Sequence, residues 1–287
     1  MIINPYRFAA GATGLLTDYP GAAAAFSLRE LSSDWAGQDV IEVRRSSDDT
    51  ADTFTSAQIT DGTLTTFTGA GGGFIRTWYD QSGNGFDVTQ TTLADQPQIV
   101  GGGILLTVGG LPTIVFDGAN HYLSNTTGGT TTNGNIDYNG GVSWYAVVDS
   151  NLNAATARLW SDDITGAQGY VIFATGTQYQ LNDNDTGLEA ITFSGQSNFQ
   201  ELRSFHFDSS TGNYEYAFDG SNTTGNMASW SDVAIDSSNT ANVGVGGSGN
   251  GNQLFLGSMQ ELIIYPDDQS GNRTGIEGDI NTHYLIY

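Results

Sequence analysis

The sequence predicts an all-β protein, a two-sheet antiparallel jelly-roll sandwich with two short peripheral helices. Short runs rich in β-branched and aromatic residues recur along the whole chain. Turn signals (glycine, Asn-Gly, Asp-Gly) close those runs every ten residues or so, the spacing of a sandwich. Finally, 287 residues without one cysteine must be held by a sizeable core, with no disulfides or thiolate metal sites to help.

Taken in order, Ala22–Leu31 is rich in helix formers and stops before Ser32-Ser33, so it reads as the first helix. Val40–Arg45 is a strand that runs into the turn-rich Ser46-Ser-Asp-Asp-Thr50. Gly73–Tyr79 alternates towards Gly83-Asn-Gly85, and Pro112–Phe116 ends at Asp117-Gly118. Val142–Val148 is apolar on both faces, as a central strand covered on both sides would be. Tyr170–Phe173, Glu201–Phe207, Asn213–Phe218 (closed by Asp219-Gly220), Val243–Val245 and Gln260–Tyr265 complete the strand set. In Asn272–Tyr284, Ile276, Ile280 and Tyr284 recur at i, i+4 and i+8 on one helical face. Asp268 or Ser270 is its expected cap, and Gly275 and Gly278 make it dependent on packing. No linker divides the chain: residues 1–14 read as an N-terminal arm and residues 15–287 as one sandwich domain.

Thirty-one carboxylates face eight cations, all arginine, for a net charge of −23. Such a field repels phosphate backbones and anionic lipid, so neither nucleic-acid binding nor membrane insertion is expected. Charged residues make up only 14% of the chain, and the other polar residues suit loops on a β scaffold outside a cell. Met1–Phe8 lacks the basic and apolar segments of a signal peptide. Release by lysis, as for virion proteins, is the expectation, with secretion after removal of a signal as the alternative.

Three segments carry a resemblance: Ala24-Ala-Phe-Ser-Leu-Arg-Glu-Leu31, Val40-Ile-Glu-Val-Arg-Arg-Ser-Ser-Asp48, and Phe74-Ile-Arg-Thr-Trp-Tyr-Asp-Gln-Ser-Gly-Asn-Gly85. In order and spacing they resemble the N-terminal part of the arabinofuranosidase B catalytic domain and its non-enzymatic relatives in bacterial and phage structural proteins. Gln96–Val100 and Leu111–Gly118 continue the pattern, and Met259–Tyr265 with the following helix looks like the end of a laminin-G-like (concanavalin A-like) jelly roll. The resemblance covers both ends of the chain and little of residues 124–252. For the enzymes it implies retaining hydrolysis by a glutamate nucleophile and an aspartic acid/base, which needs two carboxylates about 5 Å apart. Those residues belong to the section that does not align, and the enzymes' disulfides have no counterpart here, so no catalytic residue is carried over.

Most conspicuous polar residues read as structural. Asp80 and Asp87 flank Gly83-Asn84-Gly85, where a carboxylate accepting backbone N–H bonds would hold the turn. Asp117 and Asp219 read as hairpin residues, and Glu261 as a structural acid of the closing strand. Arg44 and Arg45 face opposite sides of a strand and cannot form one clamp; an ion pair of one of them with Asp48, Asp80 or a similar carboxylate is expected. His121, His206 and His283 stand apart and read as packed or surface residues. Two groups read as candidate sites. Trp160, Tyr170, Tyr179 and Asn182 combine an aromatic platform with an amide, the ingredients of a carbohydrate site. Asp183 and Asp185, before Gly187, resemble half of a calcium loop, so calcium is the one cofactor to consider.

The functional expectation is a non-enzymatic virion surface protein of a bacteriophage, a capsid decoration, head fibre or tail-associated adhesin, binding host-surface carbohydrate. Its expected partners are other virion subunits and copies of itself, docked through the apolar Ile2, Ile3, Tyr6 and Phe8 of the arm. A secreted carbohydrate-binding module and an arabinofuranosidase-like hydrolase are the alternatives.

Overall fold

A computed structural model describes residues 14–127, 130–131, 141–150, 157–164, 170–175, 178–183, 187–189, 199–226, 241–248 and 251–287. The N-terminal arm to residue 13 lies outside the described residues. Hydrogen-bonded pairing organises the strands into two antiparallel sheets joined at one corner. In the first sheet, Gly141–Ser150 runs between Leu256–Tyr265 and Glu201–Asp208. Asn213–Phe218 and Ser221–Asn226 extend it on one side. On the other side, Ala24–Ser27 and Ile114–Asp117 lie one after the other along Leu256–Tyr265.

The second sheet begins with Ala51–Thr55, Asp39–Arg45 and Gly73–Trp78. It continues through Val88–Thr89, Leu123–Ser124, Ala241–Val245 and Ala157–Ile164. Tyr170–Thr175, Gln178–Asp183 and Gly187–Glu189 close its far side. Gln98–Gly101 pairs with both Gly73–Trp78 and Ile114–Asp117 and so forms the corner. The predicted all-β sandwich is the fold observed.

Strand alternation divides the core in two. Trp144, Ala146 and Val148 point between the sheets, whereas Tyr145 and Val147 belong to a second apolar cluster on the outer face. Leu262 and Ile264 against Ile263 and Tyr265 repeat the division in the neighbouring strand. Across the gap, Phe26 of the first sheet packs on Trp78 and Trp160 of the second at ring separations of 5.7 and 6.1 Å. The outer cluster is covered by the helix Arg273–Tyr284 through Ile276, Ile280 and Tyr284, the three residues expected to face inward.

Two expectations about helices are corrected. Ala22–Leu31 is not helical: Ala24–Ser27 is a strand, with Ala24 opposite Ile264 and Phe26 opposite Leu262. All four residues are buried, Ala24 and Phe26 on one side and Ala25 on the other, and a strand can fill both cores at once. Burial overrides helix propensity here. Likewise neither Asp268 nor Ser270 caps the C-terminal helix. Its N-cap is Asn272, whose side chain makes no capping bond, and Asp268 instead accepts from the Ser270 amide and hydroxyl in the preceding turn. Gly275 in that helix has a packing reason, because a Cβ there would collide with the Tyr19 hydroxyl.

Candidate functional site

The segments that carry the resemblance turn out to be scaffold. Asp80 accepts the amides of Ala25, Ser82 and Phe86 and the Ser82 hydroxyl, and Asp87 accepts the Asp80 amide. Together they tie the Gly83-Asn84-Gly85 turn to the first strand, as expected. Arg45 pairs with Asp48 at 2.7 Å and Arg44 with Asp49 at 2.6 Å, on opposite sides of their strand. Asp117 accepts three successive amides, and Asp219-Gly220 is a two-residue hairpin with φ of 46° and 77°. Glu261 is fully buried; it binds Arg29 through both oxygens and accepts from Ser27 and Tyr284. That cluster joins the first strand, the closing strand and the helix.

Of the expected sugar platform, Trp160 is buried, 1% exposed in the inter-sheet core, so its ring offers no face to a ligand. Its indole fills the space opposite Phe26, the use a large aromatic on a central strand most often serves. Tyr170, Tyr179, Asn182 and Asp183 lie on the hairpin of Tyr170–Thr175 and Gln178–Asp183, where Tyr170 is opposite Asp183, Val171 opposite Asn182 and Ala174 opposite Tyr179. Their side chains, and the whole of Asp185, lie outside the described residues. Among the described residues, no three acidic or histidine side chains stand together as metal ligands, and no helix is long and apolar enough to cross a membrane.

The structure assembles a different constellation, on the outer face of the first sheet. Its floor is the part of two cross-strand rows that lies beyond the strand Gly141–Ser150. The first runs Ser143, His206, Glu215, Thr224, and the second runs Gly141, Asp208, Asn213, Asn226. Strand alternation dictates this: Phe205 and Phe207 point into the inter-sheet core, so His206 and Asp208 must point out. The turn before the C-terminal helix supplies a wall through Asp268 and Ser270. It is fixed by Ser143, whose hydroxyl donates to the Asp267 carbonyl and accepts the Gln269 amide, both at 2.8 Å. The open cleft between them has a volume of about 590 Å³, within the range of small-molecule sites.

Its polar groups are unevenly committed. Asp208 accepts from the Ser210 amide and hydroxyl and the Thr211 hydroxyl, and these bonds hold its carboxyl below the ordinary value of 3.8. Glu215 pairs with Arg273 at 2.9 Å, and Arg273 also reaches Glu277 at 2.6 Å. His206 differs. It is 1% exposed and borders the cavity with its ring nitrogens buried, and among the described residues neither nitrogen has a hydrogen-bond partner. Burial, with a smaller contribution from the Arg273 charge, pushes it down to about 3, so it is a neutral imidazole with one donor and one acceptor nitrogen. The Tyr145 ring meets it edge to face at 5.2 Å, and the Tyr145 hydroxyl is likewise buried without a partner among the described residues.

The sequence reading of His206 as a packed or surface residue leaves its place open; the structure makes it a packed one at the edge of this cavity. The available signal was Ser204, His206 and Asp208 alternating with Phe205 and Phe207, a polar stripe on a strand that also carries a core face.

No protein-family model matches the chain, and no curated protein matches it in sequence. Solved structures do match in fold. A GH54 α-L-arabinofuranosidase soaked with a cyclic sulfate inhibitor has a TM-score of 0.60 at 18% identity, over 90% of this chain and 62% of that one. A mutant GH54 α-L-arabinofuranosidase soaked with 4-nitrophenyl α-L-arabinofuranoside gives 0.62 at the same identity and coverage. An arabinofuranosidase complexed with arabinofuranosyl-α-1,2-xylobiose gives 0.58, also at 18% identity, over 90% of this chain and 62% of that one. The chain therefore spans less than two thirds of the length of these enzymes, and at such identity the likeness shows a shared β-sandwich fold.

Proposed function

We propose that this protein is a non-catalytic carbohydrate-binding sandwich, displayed on the surface of a bacteriophage virion, where it engages host-surface glycans. The observation that carries the binding role is the outer-face cavity. It is large enough for a sugar residue, and hydrogen-bonding groups surround it, among them Asp208, Asn213, Glu215, Asn226, Asp268 and Ser270. The fold shared with enzymes solved with arabinofuranosides supports the same reading.

The non-catalytic part rests on the state of the cavity's carboxylates. A glycosidase needs an acid whose proton is retained near neutral pH, set against a second carboxylate. Asp208 is shifted the opposite way, Glu215 is held by Arg273, and Asp268 serves its own turn. The virion setting accords with the acidic, lysine-free composition and with the order of the sequence segments resembling phage structural proteins.

The test combines an array of immobilised glycans with 4-nitrophenyl α-L-arabinofuranoside hydrolysis and immunogold labelling of particles from the source. Glycan binding without nitrophenol release, and label on particles, is the expected result. Enzyme-dependent nitrophenol release would favour the hydrolase, and label confined to the medium would favour a secreted module.

A further inference from the structure

We propose that the strand Ser221–Asn226 is a self-association edge: it pairs antiparallel with the same strand of a second copy and so sets two outer-face clefts side by side. The inference does not depend on the carbohydrate-binding reading. Asp219-Gly220 is a two-residue turn with φ of 46° and 77°, so Phe218 and Ser221 exchange both backbone bonds, as do Tyr216 with Thr223 and Tyr214 with Gly225. The N–H and C=O groups of Asn222, Thr224 and Asn226 therefore point away from the hairpin, and among the described residues no strand pairs with them. The side chains that could cover this edge are drawn back over the chain's own sheet. Asn222 donates to Glu215, and Asn226 donates to the Asn213 side chain and the Thr211 carbonyl. The strand is largely exposed and has no proline, bulge or charge, the devices that keep an edge from pairing. The outer strands of the second sheet differ: Ala51–Thr55 carries Asp52, whose carboxylate accepts the Thr53 amide, and Gly187–Glu189 carries Glu189.

The outward groups set the register. An exchange of backbone bonds centred on Thr224 places it opposite Thr224 of the second copy, about 5.5 Å away at Cα, with Asn222 opposite that copy's Asn226. Opposed residues share a face, so both clefts open on the same side. The row of Glu215 and Thr224 then runs on into Thr224 and Glu215 of the second copy, and the row of Asn213 and Asn226 into its Asn222. Charge favours this seam over others. Two chains of net charge −23 repel, and contact between them needs an uncharged strip. Along the central row the facing carboxylates are the two Glu215 side chains, three strand spacings or about 14 Å apart. That exceeds the screening length of about 8 Å in physiological salt. Each Glu215 is also paired with Arg273. One strand pair is small beside the roughly 1,200 Å² of a stable interface, so the association is weak and strengthened by salt. Where copies are crowded, two clefts side by side would engage a repeating ligand together.

Sedimentation velocity of the full chain from ~1 μM to ~1 mM, in low and physiological salt, measures the association. A reversible dimer that strengthens with salt is expected. Thr224→Pro should weaken it about tenfold or more, because proline removes an outward N–H and no bond of the hairpin. The chain has no cysteine, so Thr224→Cys can form a disulfide only with its own counterpart, at a Cα separation that a disulfide spans. Under mild oxidation that crosslink should form about tenfold faster or more than the one made by Asp52→Cys, an exposed control on the second sheet. It reads the contact even where the proline variant folds poorly. Monomer at every concentration overturns the inference, as do equal crosslinking rates or a dimer that Thr224→Pro leaves unchanged.

Discussion

Acidification should destabilise the wild-type protein more than its His206→Phe variant. In the folded chain the imidazole is neutral down to about pH 3, because burial disfavours its charged form and Arg273 adds to the effect. In the unfolded chain it protonates near its ordinary value of 6.5. Between those values the unfolded state binds more protons, so stability falls as pH falls from about 6.5 towards 3. Two units below the unfolded value, at pH 4.5, the loss amounts to about 2–3 kcal/mol at ~1.36 kcal/mol per unit. Phenylalanine keeps a planar aromatic ring, somewhat larger than imidazole, with nothing to titrate.

The choice of pH 4.5 keeps other groups from obscuring the result. Carboxyls held below their ordinary values, such as Asp117 and Asp208, contribute stability that is lost only as pH falls through 3.8 and below. Burial raises Asp149, Asp219 and Glu277, which works in the opposite direction and is common to both proteins, so it drops out of the difference. Urea unfolding followed by tryptophan fluorescence at pH 7 and 4.5 measures the quantity directly. The wild type should lose about 2–3 kcal/mol more than the variant over this range. Equal losses would refute the reasoning, as would an imidazole resonance of His206 that titrates near 6 in the folded protein.

Phe26→Ala removes the ring that bridges Trp78 and Trp160 and should lower unfolding free energy by about 3–5 kcal/mol, read from the urea midpoint. Glu261→Gln leaves Arg29 without its buried bidentate partner and should lower stability by about 3–5 kcal/mol; a change within 0.5 kcal/mol would show that Asp279 alone satisfies the guanidinium. Gly275→Ala improves helix propensity by about 1 kcal/mol yet should destabilise the protein, because the added Cβ meets the Tyr19 hydroxyl; Tyr19→Phe in the same background should recover part of the loss in thermal unfolding.

Sheet elements were legible wherever the local pattern and the tertiary environment asked for the same thing. Val142–Val148 is apolar at every position but Ser143, and the structure has a core on each side of it. The C-terminal helix was readable from Ile276, Ile280 and Tyr284 because one face alone is buried. Ala22–Leu31 misled for the converse reason. Its alanines favour a helix in isolation, but a helix cannot place Ala24 and Phe26 in one core and Ala25 in another. Trp160 misled in a related way, since an aromatic residue near amides reads the same whether its ring faces solvent or the opposite sheet.

The outer-face cavity was beyond sequence because its components come from four separate stretches brought together by register. His206 faces Glu215 only because Asp208 is opposite Asn213, and both face Asp268 only because Ser143 anchors the 267–269 turn. A shift of one residue in the pairing of Glu201–Asp208 would send His206 into the inter-sheet core and expose Phe205 and Phe207. The burial of those two phenylalanines therefore fixes the register, and the register in turn fixes which polar groups meet on the outer face. A neutral, unpartnered imidazole is tolerable on that face because the sheet beneath it is held by the core on its other side. The energy that positions the cavity's polar groups comes from the inter-sheet core, which is why a substitution such as Phe205→Ala should disturb the cavity as well as the core.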